Sequence, residues 1–111
     1  MRVEIKETEK EVIASIIGSF TFRDYDEYTE IINKIKTTSI KRFVINMDKC
    51  DFIDSAGLGM LVIANDEMRA KDMKPVLKNV RGMVNDVLYA ARFDTLYKIE
   101  KWGIVWLLFY H

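Results

Sequence analysis

Asp48, Asp51 and Asp54 recur at every third residue after the apolar run Arg42–Met47, and Ser55 follows the last of them directly. Carboxylates at a strand end can hold a divalent cation or accept a phosphoryl group, and a hydroxyl beside them can be phosphorylated. Two features favour the hydroxyl. Gly57 and Gly59 fall in the first turns of the helical pattern that begins near Ser55, where each costs about 1 kcal/mol relative to Ala. Close approach of another surface to that backbone is one reason to keep them. Ser55 itself stands at the helix start, where unpaired N–H groups and the positive dipole end favour an anion. A phosphate there adds roughly −1.5 to −2 charge without melting the helix. The plainer reading stays open as well: a Ser or Asp before a helix as a simple N-cap, with glycines that let helix and sheet pack closely.

Competing chemistries lack their partners. Phosphorylation of Asp48, as in a receiver domain, needs an acidic pair after the first buried strand, and the sequence there reads Gly18-Ser19-Phe20. The one histidine, His111, is terminal, and Cys50 has no histidine to activate it. No G-x-x-x-x-G-K-[S/T] phosphate loop occurs. The expectation is therefore no enzyme, no cofactor and no metal.

Composition narrows the classes further. Seventeen Lys+Arg balance 17 Asp+Glu over 111 residues, and half the chain is apolar. That excludes intrinsic disorder, supports one hydrophobic core, and offers no global attraction to nucleic acid or an anionic membrane. A single cysteine forms no internal disulfide and fits a reducing, cytoplasmic setting. The longest apolar run, Ile104–Tyr110, is far short of the roughly 20 residues of a membrane span, and the N-terminus lacks a signal-peptide core.

The elements that must position Ser55 follow from periodicity. Val3 and Ile5 alternate with charges, as in an edge strand, and Val12–Ile17 is apolar on both faces and closed by Gly18. Tyr25, Tyr28, Ile31, Ile32 and Ile35 mark a helix over Asp24–Lys36, with Asp24 as N-cap and Glu30 and Lys34 paired outside. Arg42–Met47 reads as a central strand and Asp48–Asp54 as a polar elbow. A helix runs from about Ser55 to Ala70, with Leu58, Leu61, Val62, Asn65 and Met68 as its core stripe and Met60, Ile63 and Ala64 partly on the other side. Val76-Leu77 marks a strand, Met83–Ala91 a third helix, and Leu96–Trp102 another strand. The order β-β-α-β-α-β-α-β predicts one α/β domain over 1–111, a mixed sheet of 4–6 strands with helices layered on it. The nearly uncharged tail 103–111 is expected to form a last strand or a contact between copies.

The run Asp51-Phe52-Ile53-Asp54-Ser55-Ala56-Gly57-Leu58-Gly59-Met60-Leu61 resembles the signature of STAS domains (sulphate transporter and anti-sigma factor antagonist), D-S-[S/T]-G-L-G behind an F-[I/M]-D lead-in. The resemblance extends over about residues 3–101. In small members of that family the serine after the motif Asp is phosphorylated by a partner kinase, which implies Ser55 here. The resemblance implies that the unphosphorylated protein binds an anti-sigma factor or serine kinase of the switch type, that phosphorylation releases it, and that a serine phosphatase restores it. It also brings the loop holding Ser19, Thr21 and Arg23 beside Ser55. The implied partner patch is then Asp54, Ser55, Ala56, Gly57, Leu58, Gly59, Met60 and Ile63 with those three loop residues. Two departures stand out: Ala56 replaces a common second hydroxyl, and Thr21 replaces an acidic residue usual near the phosphorylation site. The alternatives within the family are a non-switching, stressosome-like scaffold and a ligand-sensing domain with its site near Trp102.

Overall fold

Val12, Ala14 and Ile16 are fully buried and alternate with half-buried Ile13, Ser15 and Ile17, the period of a strand with one face on a core. A computed structural model describes residues 1–101; the expectations for Trp102 and the 103–111 tail lie outside the described residues. The strand Val12–Phe20 (β2) sits between the edge strand Arg2–Glu7 (β1), antiparallel to it, and the parallel strand Arg42–Asn46 (β3). Parallel strands Lys74–Lys78 (β5) and Lys98–Glu100 (β6) continue the sheet in the order β1-β2-β3-β5-β6. Three helices, Tyr25–Thr37 (α1), Ser55–Ala70 (α2) and Gly82–Ala90 (α3), contribute Tyr28, Ile31, Ile35, Leu61, Met68, Val84 and Leu88 to one core with Phe43, Ile45 and Leu77 of the sheet.

A sixth strand departs from the expected order. Cys50–Ile53 (β4) is not part of a polar elbow but pairs in parallel with the far half of β2, Ser19 opposite Phe52. The pairing is possible because β2 does not end at Gly18. It passes through that residue at φ +95°, with a register shift between Gly18 and Ser19, and so turns its last residues toward a second partner. Cys50 is buried, and that burial pushes its thiol up to about 11, so it is a packing residue.

Two expected surface arrangements also change. Asp24 stands at the N-cap position of α1 without bonding to that helix. Its carboxylate turns back instead, accepting from the Thr21 N–H at 2.7 Å and from the N-terminal ammonium of Met1 at 2.8 Å. Lys34 pairs with Glu7 of β1 at 3.1 Å rather than with Glu30, because α1 lies against that edge strand. The far end of α1 is closed by a side chain from α2's C-cap: Lys71 Nζ donates to the carbonyls of Ile35, Lys36 and Thr38. All three ammonium protons thus meet the carbonyl end of a helix.

Candidate functional site

Because β4 ends at Ile53 and α2 begins at Ser55, Asp54 alone makes the turn between them. Its backbone is extended (φ −103°, ψ −178°) and its Oδ1 accepts from the Gly57 N–H at 2.8 Å, which is N-cap geometry. Oδ2 accepts from the Phe22 N–H at 3.2 Å, and the Asp54 N–H donates to the Phe20 carbonyl at 3.2 Å. One residue therefore fixes the start of α2 and the loop after β2 to each other.

Ser55 is the first residue of α2 and is exposed. Its Oγ has no hydrogen bond to another side chain or backbone group among the described residues, and no acidic side chain lies within the first turn. The hydroxyl is free to be modified, at the helix end where negative charge is favoured.

The two glycines do different work. A Cβ on Gly57 would stand 2.7 Å from the Phe20 carbonyl oxygen and 2.7 Å from Ile53 Cγ1, so the helix start can lie against β2 and β4 only without a side chain there. At Gly59 a Cβ would meet nothing within 4 Å among the described residues, and the residue is exposed. Internal packing explains the first glycine and leaves the second without an intramolecular reason.

Ser55, Gly59 and Ile63 lie one turn apart on the same outward side of α2, with Val62 beside them. Ile63 is 48% exposed, and across from it on α1 Tyr25 is 59% exposed. Between them runs a groove of about 300 Å³ floored by Met60 and Tyr28. Phe22, 66% exposed, adds a further apolar ring at the end of this face, with the Arg23 guanidinium 5.5 Å above it.

The expected patch is thus assembled in part. Ser55, Gly59, Ile63, Ser19 and Arg23 are exposed, and Asp54, Ala56, Leu58 and Thr21 are half-buried. Gly57 and Met60 are buried, Met60 reaching the surface only at the floor of the groove. Met60 sits beneath α1, where its carbonyl accepts from the Tyr28 hydroxyl at 2.8 Å. Val62, expected in the core stripe, is exposed instead, because α2 presents Met60, Leu61, Ala64, Asn65 and Met68 inward.

Thr21 is engaged with Asp24, its hydroxyl donating to Oδ2 at 3.2 Å. It caps the 3-10 turn Phe22–Asp24 in a reciprocal box with Asp24. Burial raises the Asp24 carboxyl, but the Met1 ammonium and the Thr21 N–H outweigh it and hold it below the usual carboxylate range. Phe22 and Tyr25 escaped the sequence reading: Tyr25 follows the helical period and was expected inside, yet it stands in the first turn, beyond the edge of the core. Among the described residues no group of three or more His, Cys, Asp or Glu could hold a metal ion, and no helix is long and apolar enough to cross a membrane.

Comparison with known proteins agrees with this architecture. Residues 2–101 match the STAS domain family. A STAS-domain containing protein of Pseudomonas aeruginosa (strain UCBPP-PA14) is 26% identical over 91 residues, 82% of this chain and 89% of that protein. Among solved structures, the Bacillus cell fate determinant SpoIIAA in its phosphorylated form superposes with TM-score 0.71 at 15% identity, over 96% of each chain. An anti-sigma factor antagonist from Mycobacterium paratuberculosis gives TM-score 0.77 at 14% identity, over 88% of this chain and 83% of that one. At such identities these structures establish a shared fold.

Proposed function

The chain belongs to the STAS domain family, and we propose that it acts in that family as a phosphorylation-switched binding module of the anti-sigma factor antagonist kind. The observation that carries this reading is the setting of Ser55: an exposed, unbonded hydroxyl on the first residue of a 16-residue helix, at the head of an exposed face formed by Gly59, Val62 and Ile63. The partner is an anti-sigma factor or a serine kinase of the switch type, and a serine phosphatase resets the cycle. The domain supplies a surface and a phosphate acceptor; the chemistry belongs to the partner enzymes.

The physics of the switch is local. A phosphate on Ser55 is tolerated by the fold because it lies at the N-terminal end of α2. It is not tolerated in an interface. It adds a strongly hydrated dianion next to the Asp54 carboxylate and beside apolar side chains that a partner must desolvate. Binding and phosphorylation then exclude each other without any change of fold.

Phosphopeptide mapping of the chain after incubation with its cognate serine kinase and ATP tests the reading. The expected result is a single phosphate on Ser55 and loss of the complex. Label on Thr21 or Asp48 with Ser55 unmodified overturns it.

A further inference from the structure

The end of the sheet remote from Ser55 carries a second feature that the switch does not use. The parallel strands β2, β3, β5 and β6 all begin at this end, whereas Ser55 follows the opposite end of the β2–β4 pair. A groove of about 540 Å³ opens there between the β1–β2 hairpin turn, the loop from α1 to β3, and the starts of β3, β5 and β6. Lys10, Lys41, Arg42, Lys74 and Lys98 line it, against one carboxylate, Glu9.

Glu11 and Glu100 are engaged, while Asp72, in the turn before β5, has no ion-pair partner among the described residues. Arg42 donates to Glu11 at 3.0 Å and to Glu100 at 2.7 Å, and the second pair spans β5 on the side of the sheet that carries Val44 and Val76. Lys98 reaches Glu100 at 3.5 Å, and Lys41 Nζ donates to the Lys71 carbonyl. Among the described residues neither Lys10 nor Lys74 has an ion-pair partner, and both are exposed. On a chain with zero net charge this is a concentration of positive charge at one pole. Its lining is not purely polar: half-buried Ile40 contributes apolar surface, with Val76 buried behind it.

We propose that this groove is a second docking site, which takes a short acidic peptide segment of a protein partner with an apolar side chain among its carboxylates. Charge complementarity selects the acidic chain, and the half-buried Ile40 side chain selects the apolar residue within it. The absence of net charge favours a bounded acidic segment over a nucleic acid duplex or an anionic membrane, which draw on a protein-wide positive field. Since the groove and Ser55 lie at opposite ends of the sheet, the segment remains bound in both states of the switch.

Fluorescence anisotropy with the labelled peptide Glu-Asp-Leu-Glu-Asp-Leu-Glu-Asp and the full chain tests this. Binding is expected to weaken about tenfold or more in the double variant Lys10→Glu/Lys74→Glu, and to weaken as salt rises from about 50 to about 300 mM. Replacing the peptide's leucines by glycine is expected to weaken binding as well, and Ser55→Glu to leave it unchanged. Lys10→Gln/Lys74→Gln, which removes charge without reversing it, gives an intermediate loss if the groove is the site. The proposal is overturned if both lysine variants bind the peptide as the unaltered chain does while melting at the same temperature. It is also overturned if the glycine peptide binds equally well, if a DNA duplex or phosphatidylserine vesicles bind more tightly with the same lysine dependence, or if the chain self-associates through this groove. Binding of the switch partner at Ser55 is measured separately in the lysine variants, so loss of the groove reading leaves the switch reading standing.

Discussion

The Phe22 N–H donates to the Asp54 carboxylate at 3.2 Å across 32 residues of chain, while the other oxygen of that carboxylate caps α2 through Gly57. A single side chain thus sets both the direction of the helix that presents Ser55 and the position of the loop that presents Phe22. Asp54→Ala removes both bonds and is expected to lower stability by about 1–2 kcal/mol, the range of a lost N-cap. Asp54→Asn, itself a good N-cap, loses less. Urea denaturation of the three proteins separates them, and partner binding in the Ala variant is expected to fall by more than its stability loss explains, because Phe22 is no longer held.

Gly57 admits no side chain. With the Phe20 carbonyl and Ile53 Cγ1 each 2.7 Å from the position of a Cβ, Gly57→Ala forces α2 away from the sheet. A destabilisation of about 1–3 kcal/mol is expected, the usual cost of overpacking. Equilibrium unfolding of this variant at the unaltered stability would show that α2 is not seated on β2 and β4 as described.

Most of this arrangement was legible in the sequence, and what was not has identifiable causes. Helix α2 runs from Ser55 to Ala70 as its periodicity predicted, because apolar spacing, the Asp54 cap and the absence of proline agree. β4 was missed because its pairing depends on the turn of β2 through Gly18, which no local pattern of Cys50–Ile53 reveals. Met60 and Val62 exchanged places because sequence spacing gives a stripe but not the azimuth at which α1 covers it; the Tyr28–Met60 bond records that choice. Thr21 stands out in the sequence as a departure from an acidic residue. The Thr-x-x-Asp spacing of a capping box was present at 21–24 and accounts for it.

Acid is expected to weaken the sheet through Glu100. The hydrogen bond from Arg42 lowers its carboxyl below the ordinary value near 4.5, so the native state holds fewer protons there than the unfolded chain. Its contribution is therefore present above the unfolded value and lost as pH falls from about 4.5 through the lowered one. Glu100→Gln is expected to be less stable than the parent at neutral pH and to lose less on acidification. Denaturation midpoints measured at pH 7, 5, 4 and 3 check the sign; parallel pH curves for the two proteins would remove Glu100 as the cause.

Charge at Ser55 is expected to act on binding alone. Ser55→Ala keeps the partner and cannot be released by the kinase, whereas Ser55→Glu binds at least about tenfold more weakly, equivalent to roughly 1.4 kcal/mol. Both retain the parent's melting temperature to within a few degrees, since the residue is exposed and a carboxylate at a helix start is favourable. Titration of the purified partner against each variant decides it; equal affinities would mean that Ser55 does not face the partner.

Gly59 separates stability from function more cleanly than any other position on this face. It is exposed, nothing beyond its own helix stands within 4 Å of its would-be Cβ among the described residues, and it sits in a helix where alanine is worth about 1 kcal/mol more. Gly59→Ala should therefore raise the unfolding free energy by an amount approaching that figure. If the partner's backbone or a side chain closes onto α2 between Ser55 and Ile63, the added methyl stands in its way, and affinity should drop while stability rises. A helix chosen only for its own fold has no cause to leave that position bare. Thermal unfolding and partner titration on the same preparation read both effects, and a variant that gains stability while keeping full affinity would move the interface off this turn of the helix.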